Sequence, residues 1–174
     1  MKPKKDVIED LQTDLRVFVS STIKAERFDV VIPIMRKGLF LLDRLFPTNR
    51  GFRIFLLDPM ENIIPKNVSL ASERILILDD SARTGRTLME AKQSIITNNS
   101  ARDENIRIAV FMKHKDCQAP VHYWKVEFDD ADATELYGLL SNYFDSLCHQ
   151  LDPDLLNVLL CHVTTLNLSV ARNQ

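Results

Sequence analysis

Glycine is scarce in this chain, with only 4 among 174 residues, at Gly38, Gly51, Gly85 and Gly138. Neither a G-x-x-x-x-G-K loop nor a G-x-G-x-x-G turn can be assembled from those positions, so two widespread cradles for nucleotide phosphates are excluded. Cysteine is nearly as sparse. Cys117, Cys148 and Cys161 are odd in number and lack metal-ligand spacing, which fits reduced thiols rather than a disulfide framework. No apolar run approaches the roughly 20 residues that a membrane-spanning helix needs. The basic start Met1-Lys2-Pro3-Lys4-Lys5 has no secretory apolar segment behind it. An excess of one charge is missing too, since 22 Lys and Arg face 24 Asp and Glu for a formal net charge of −2. That balance argues against nucleic acid or an anionic membrane as a broad partner, although a locally positive cleft remains open to Arg36, Lys37, Arg83 and Arg86. A cytoplasmic protein with neither a membrane nor a nucleic-acid partner is expected.

What the chain does contain is concentrated between Arg74 and Leu88. Ile75-Leu76-Ile77-Leu78 is an apolar run bounded by polar residues, the pattern of a strand buried on both faces. It leads into the paired acids Asp79 and Asp80, then a short loop Ser81-Ala82-Arg83, then Thr84-Gly85-Arg86-Thr87. Leu88, Ala91 and Ile95 follow at helical spacing. The start of a helix offers unpaired N–H groups and the positive end of its dipole, which suits a phosphate. Gly85 allows close backbone approach, and Thr84 and Thr87 add hydroxyls. Carboxylates at a strand end can accept hydrogen bonds from vicinal hydroxyls or hold a hydrated divalent cation. A sugar phosphate satisfies both halves at once. A blander alternative has the acids merely capping the following helix, but a cap needs one acid and not this whole arrangement.

This stretch closely resembles the phosphoribosyl-pyrophosphate loop of the type I phosphoribosyltransferases: an apolar strand, two acids, three variable residues and Thr-Gly-x-Thr. The resemblance implies that Asp79 and Asp80 hold the ribose hydroxyls and that Ser81, Ala82, Arg83, Thr84, Gly85, Arg86 and Thr87 wrap the 5-phosphate. It covers about Phe28 to Phe128. Within that span Phe28 to Ile34 reads as a second buried strand, followed by Met35-Arg36-Lys37-Gly38 and a helix from Leu39 to about Phe46. In the family the first strand ends in a short, often basic and glycine-containing loop that binds pyrophosphate, and Met35, Arg36, Lys37 and Gly38 stand in that position. Cations and backbone donors at a strand end are what pyrophosphate requires.

The remaining chain alternates. A helix is expected from about Lys5 to Lys24, a strand over Phe52 to Leu57, an edge strand around Val68 to Leu70, and a strand over Ile106 to Met112. A short strand or extended segment is expected within Pro120 to Phe128. Strands separated by helices imply an α/β fold with a doubly wound, mainly parallel sheet flanked by helices. Ligands in such sheets sit beyond the carboxyl ends of strands, where the strand order reverses. Residues 1–130 are expected to form this domain. Residues 131–174 are expected to form a leucine-rich helical pair, packed on the domain or on a partner, including a homodimer mate.

Two departures from the family pattern bear on function. The stretch Asp58 to Glu73, where a closing lid is expected, is short and has Lys66 as its only basic residue before Arg74. Arg83 stands immediately before Thr-Gly, where members acting on 6-oxopurines usually have an acid; it either meets an anionic acceptor or phosphate or points to solvent. Tyr123 and Trp124 are candidates for stacking on a base, or else core residues. The resemblance implies a Mg²⁺-dependent enzyme that moves 5-phosphoribose from phosphoribosyl pyrophosphate to a nitrogenous base and releases pyrophosphate. Asp79, Asp80, Arg36 and Lys37 would carry the chemistry, with Mg²⁺ held through Asp79 and Asp80. The alternative is a regulatory, non-catalytic module that binds phosphoribosyl pyrophosphate or a nucleotide and acts through a partner.

Overall fold

A computed structural model describes residues 13–15, 17–18, 20–22, 26–34, 37–39, 41, 52–57, 64, 68–131 and 138. The expected C-terminal helices, the region around Lys66, and Met35 and Arg36 lie outside the described residues. Five strands form one sheet: β1 (Val30–Pro33), β2 (Arg53–Ile54), β3 (Ile75–Ala82), β4 (Ile106–His114) and β5 (Tyr123–Phe128). Their order is β2-β1-β3-β4-β5, and every pairing is parallel. This is the expected doubly wound class. Order reverses between β1 and β3, the switch point of such a sheet.

β1, β3 up to Leu78 and most of β4 are apolar because both faces are covered there. On one face Val31, Leu76, Leu78, Ala109 and Phe111 pack with Leu15, Phe18, Leu39 and Leu41, which belong to helical stretches before and after β1. On the other face Val30, Ile32, Ile75, Ile77, Ile108 and Val110 meet Leu88, Ala91 and Ile95 of helix α1 (Arg86–Asn99). Parallel strands buried on both sides lose the apolar–polar alternation of a half-exposed strand.

Several boundaries differ from the sequence reading. β3 runs on through the acids and Ser81 to Ala82, because β4 continues to pair with it up to Ala82↔Lys113. No strand forms at Val68 to Leu70. Instead Asn99 holds this segment against the end of α1, donating through Nδ2 to the Val68 carbonyl at 2.9 Å and accepting the Leu70 N–H at 2.7 Å. Between β4 and β5 the chain crosses without a helix. Residues 115–122 lie on the α1 face instead, with Ala119 in the core and Cys117 and Val121 packed against it.

Register makes the carboxyl edge of the sheet a staircase. β1 stops at Pro33, level with Leu78, whereas β3 reaches Ala82, level with Lys113, and His114 is level with Phe128. Asp79 to Ala82 therefore have a strand neighbour only on the β4 side. The turn after β1 fits beside them. Ile34 N–H donates to the Leu78 carbonyl at 2.9 Å, and Gly38 N–H to the Ile34 carbonyl at 2.9 Å, which starts the following helix. A Cβ at Gly38 would overlap the Leu78 carbonyl oxygen and lie 3.2 Å from its carbon. Glycine is needed there for close approach.

Gly38→Ala should therefore lower the unfolding free energy by about 1–3 kcal/mol, the cost of forcing extra volume into packed backbone. Gly138→Ala, where a Cβ meets nothing within 4 Å, should be neutral or stabilising by up to about 1 kcal/mol. Urea unfolding of both variants checks this; a wild-type midpoint for Gly38→Ala would show that the contact can relax.

Candidate functional site

Two turns meet at the switch point. The first follows β1 and carries Lys37 and Gly38; the second follows β3 and leads into α1. Lys37 Nζ lies 3.6 Å from Asp80 Oδ2, joining them. Asp80 is 8% exposed and Asp79 is half-buried. Asp79 Oδ1 accepts the Asp80 backbone N–H at 2.9 Å, which fixes the Asp79 carboxyl at the strand end. Burial, then the neighbouring Asp80 carboxylate, pushes the Asp79 carboxyl well above its ordinary range, and Lys37 offsets only part of this. A buried acid in that condition is a functional-site signal.

The start of α1 can hold an anion. Its N-cap is Gly85 at φ 79°, with no side-chain cap and no acid in the first turn. The Arg86 N–H donates to the Thr84 hydroxyl at 3.3 Å, so one of the first N–H groups is met by a side chain. Gly85 is required twice over, by its left-handed backbone and by crowding: a Cβ would overlap that of Ala119 and lie 2.8 Å from the Ala119 nitrogen and 2.9 Å from Cys117 Sγ. The Thr84 carbonyl accepts the Gln118 N–H at 3.1 Å, so the loop is tied to the 115–122 crossing. Thr84, Arg86 and Thr87 are exposed, whereas Ser81 is half-buried. Ala82 has its side chain in the core and offers only backbone to a ligand. Arg86 pairs with Glu90 one turn on, at 2.7 Å.

Lys37, Gly38, Asp79, Asp80 and the loop from Ser81 to Thr87 are thus brought together, while Met35 and Arg36 lie outside the described residues. Tyr123 is turned elsewhere. Its hydroxyl donates to Glu26, which also pairs with Arg107 at 3.2 Å, at the amino end of the sheet. Burial and this bond push the Tyr123 phenol up to about 12. Trp124 is 43% exposed, with Lys113 Nζ 4.3 Å from its ring centre. Both aromatics line an open cavity of about 480 Å³ with Phe18, Ser21, Thr22 and Lys125. Arg83 is exposed and pairs with Asp130 at 3.1 Å. The meeting of Asp130 and His114 with Arg83 was not legible in the sequence. Their only signal is the polar clustering of His114-Lys115-Asp116 and Asp129-Asp130 after two strands.

Two adjacent carboxylates suit Mg²⁺, which takes oxygen ligands, keeps several waters and shares substrate phosphates. Among the described residues no three His, Cys, Asp or Glu side chains gather into a fuller cage. None of the described helices is long and apolar enough to cross a membrane.

No described protein family and no curated protein matches the sequence. Solved structures do. A purine phosphoribosyltransferase from Pyrococcus horikoshii superposes with TM-score 0.57 at 22% identity, over 68% of this chain and 83% of that one. An APRTase from Giardia lamblia, complexed with 9-deazaadenine, gives 0.56 at 18%, over 74% and 86%. A xanthine-guanine-hypoxanthine phosphoribosyltransferase from Helicobacter pylori gives 0.52 at 13%, over 75% and 95%. The chain has the type I phosphoribosyltransferase fold.

The strained acid pair generates a pH prediction. Because the Asp79 carboxyl titrates higher in the folded than in the unfolded chain, its contribution to stability is complete below about pH 4 and is lost as pH rises through the folded value. Asp79→Asn keeps Oδ1 for the Asp80 N–H and removes the charge. Without ligand it should melt a few degrees above wild type at pH 7, at about 2–4 °C per kcal/mol relieved, with a smaller gap at pH 4. A lower melting midpoint at pH 7 would contradict this electrostatic assignment.

Proposed function

We propose that the protein is a phosphoribosyltransferase that moves 5-phosphoribose from phosphoribosyl pyrophosphate to a nitrogenous base and releases pyrophosphate. The observation that carries this reading is the meeting of Lys37 and Asp80, 3.6 Å apart across the switch point, beside a helix start with no side-chain cap. A ligand with an anion at each end and hydroxyls between them uses all three features. The N–H groups and hydroxyls from Thr84 to Thr87 receive the 5-phosphate. Asp79 and Asp80 accept hydrogen bonds from the ribose hydroxyls, and contacts on Asp79 favour the ionised form that its burial disfavours. Lys37 faces the pyrophosphate, and Arg36 precedes it in the same turn.

In the reaction the bond from the anomeric carbon to pyrophosphate breaks and one to the base nitrogen forms. Positive charge develops on the ribose as the leaving group departs. The Asp79 and Asp80 carboxylates lie where that charge is stabilised, and Lys37 lies where the leaving group gains negative charge. Mg²⁺, held through Asp79 and Asp80, would supply neutralisation of the pyrophosphate. A cytoplasmic enzyme of nucleotide metabolism is the corresponding setting.

Saturating phosphoribosyl pyrophosphate with Mg²⁺ should raise the melting midpoint by roughly 5–11 °C, the effect of about 2.7 kcal/mol at a hundredfold excess over Kd. Asp80→Asn should weaken binding at least tenfold, since each charge-assisted hydrogen bond contributes about 1.5–3 kcal/mol. Pyrophosphate release with a panel of bases tests turnover. A shift without release from any base would favour the regulatory binding module, and no shift at millimolar ligand would remove the reading.

A further inference from the structure

Arg83 and His114 approach the same oxygen from two different elements. Asp130 Oδ1 lies 3.1 Å from Arg83 Nη2 and 3.3 Å from His114 Nε2. Arg83 belongs to the loop after β3, His114 ends β4, and Asp130 follows β5. His114 is 4% exposed, with Phe128 edge-on against its ring at 5.1 Å between centres. Its Nδ1 accepts the Asp116 N–H at 3.2 Å, so the neutral ring carries its proton on Nε2. That nitrogen is buried and makes no aligned hydrogen bond, although Asp130 stands close by. Arg83 already holds the oxygen it faces.

A proton changes this balance. On His114 it would turn Nδ1 from acceptor to donor and make the ring a cation. A carboxylate then faces each ring nitrogen, Asp116 Oδ2 at 3.9 Å from Nδ1 and Asp130 Oδ1 at 3.3 Å from Nε2. The neighbouring charges are matched, Lys115 with Asp129 at 3.1 Å and Lys113 with Glu127 at 3.5 Å. Arg83 is left facing two acids, Asp116 and Asp130, an excess of one negative charge among the described residues. Imidazole is the side chain that ordinarily changes charge between pH 5 and 8. Arg83 is poorly placed to keep Asp130 against a buried cation. Its pair with Asp130 is largely exposed on both sides, and such pairs are weak.

We propose that His114 is a proton-operated positioning residue: once protonated it takes Asp130 and frees Arg83 to meet the 5-phosphate wrapped by its own loop. This rests on the sugar-phosphate site proposed above and adds pH control to it. Ribose 5-phosphate is titrated into wild type, Asp130→Asn, His114→Gln and Arg83→Ala at intervals from pH 8 to 5.5. The titrations of the phosphate and of Asp79 act on all four alike. Affinities are therefore read as ratios to Asp130→Asn, in which Arg83 is free at every pH. Wild type should bind about fivefold more weakly than Asp130→Asn at pH 8, the top of the range for an exposed ion pair, and equally well at pH 5.5. His114→Gln has no proton to gain and should stay about fivefold weaker throughout. Arg83→Ala should be weaker than Asp130→Asn at every pH. If His114→Gln does not fold, the wild-type ratio decides alone. A ratio of wild type to Asp130→Asn that is constant with pH would overturn the proposal, as would wild-type pH dependence in His114→Gln. Failure of both wild type and Asp130→Asn to bind at any pH would instead overturn the sugar-phosphate site. The Arg83 Nε–H NMR signal of the free protein then reads the contact alone. It should shift with the same midpoint as the His114 ring, and an unmoved signal would overturn the exchange of partners.

Discussion

The backbone of Gly38 lies against the carbonyl of Leu78, and the site depends on that contact. β1 and β3 are neighbours in the sheet although β2 separates them in sequence. Because residue 38 has no side chain, the turn after β1 rests on β3 one residue before the acid pair. Lys37 is then delivered to Asp80. A cation from one loop and an anion from another meet at a place that neither strand forms alone.

Asp79 and Asp80 are consecutive, one half-buried and one buried; burial and the Asp80 carboxylate disfavour ionisation of Asp79, and Lys37 offsets only part of this. Next to them the first turn of α1 lacks an acid or side-chain cap. Only partly compensated charge thus stands a few residues apart on the same chain, acidic at the strand end and the positive dipole end at the helix start. A stable fold would ordinarily neutralise each locally. The proposed sugar phosphate would meet the first with its hydroxyls and the second with its phosphate.

Much of this was legible because it is local. The run Ile75 to Leu78 announced a buried strand, and Gly85 with its flanking threonines marked the turn into α1 in the right place. Both glycines singled out in the sequence proved necessary, each for a steric reason that their neighbours explain. Legibility failed where distant residues decide. β3 extends through Asp79 to Ala82 because β4 pairs with it there, which no pattern within β3 reveals. Val68 to Leu70 had the look of an edge strand but is captured by Asn99 at the end of α1. Tyr123 suggested a stacking residue, yet Glu26, 97 positions away, holds its hydroxyl at the other end of the sheet. Arg83 was visible as an oddity, but its partner Asp130 lies 47 positions on.

The most direct measurement is a two-dimensional amide NMR titration with ribose 5-phosphate, which reports position without requiring turnover or a known base. The account predicts that the largest shifts fall on Thr84 to Leu88 and on Asp79 and Asp80, with smaller ones at Lys37 and Gly38 and none at Tyr123. Shifts centred instead on the cavity beside Trp124, or an unperturbed Thr84 to Leu88 loop at saturating ligand, would contradict it.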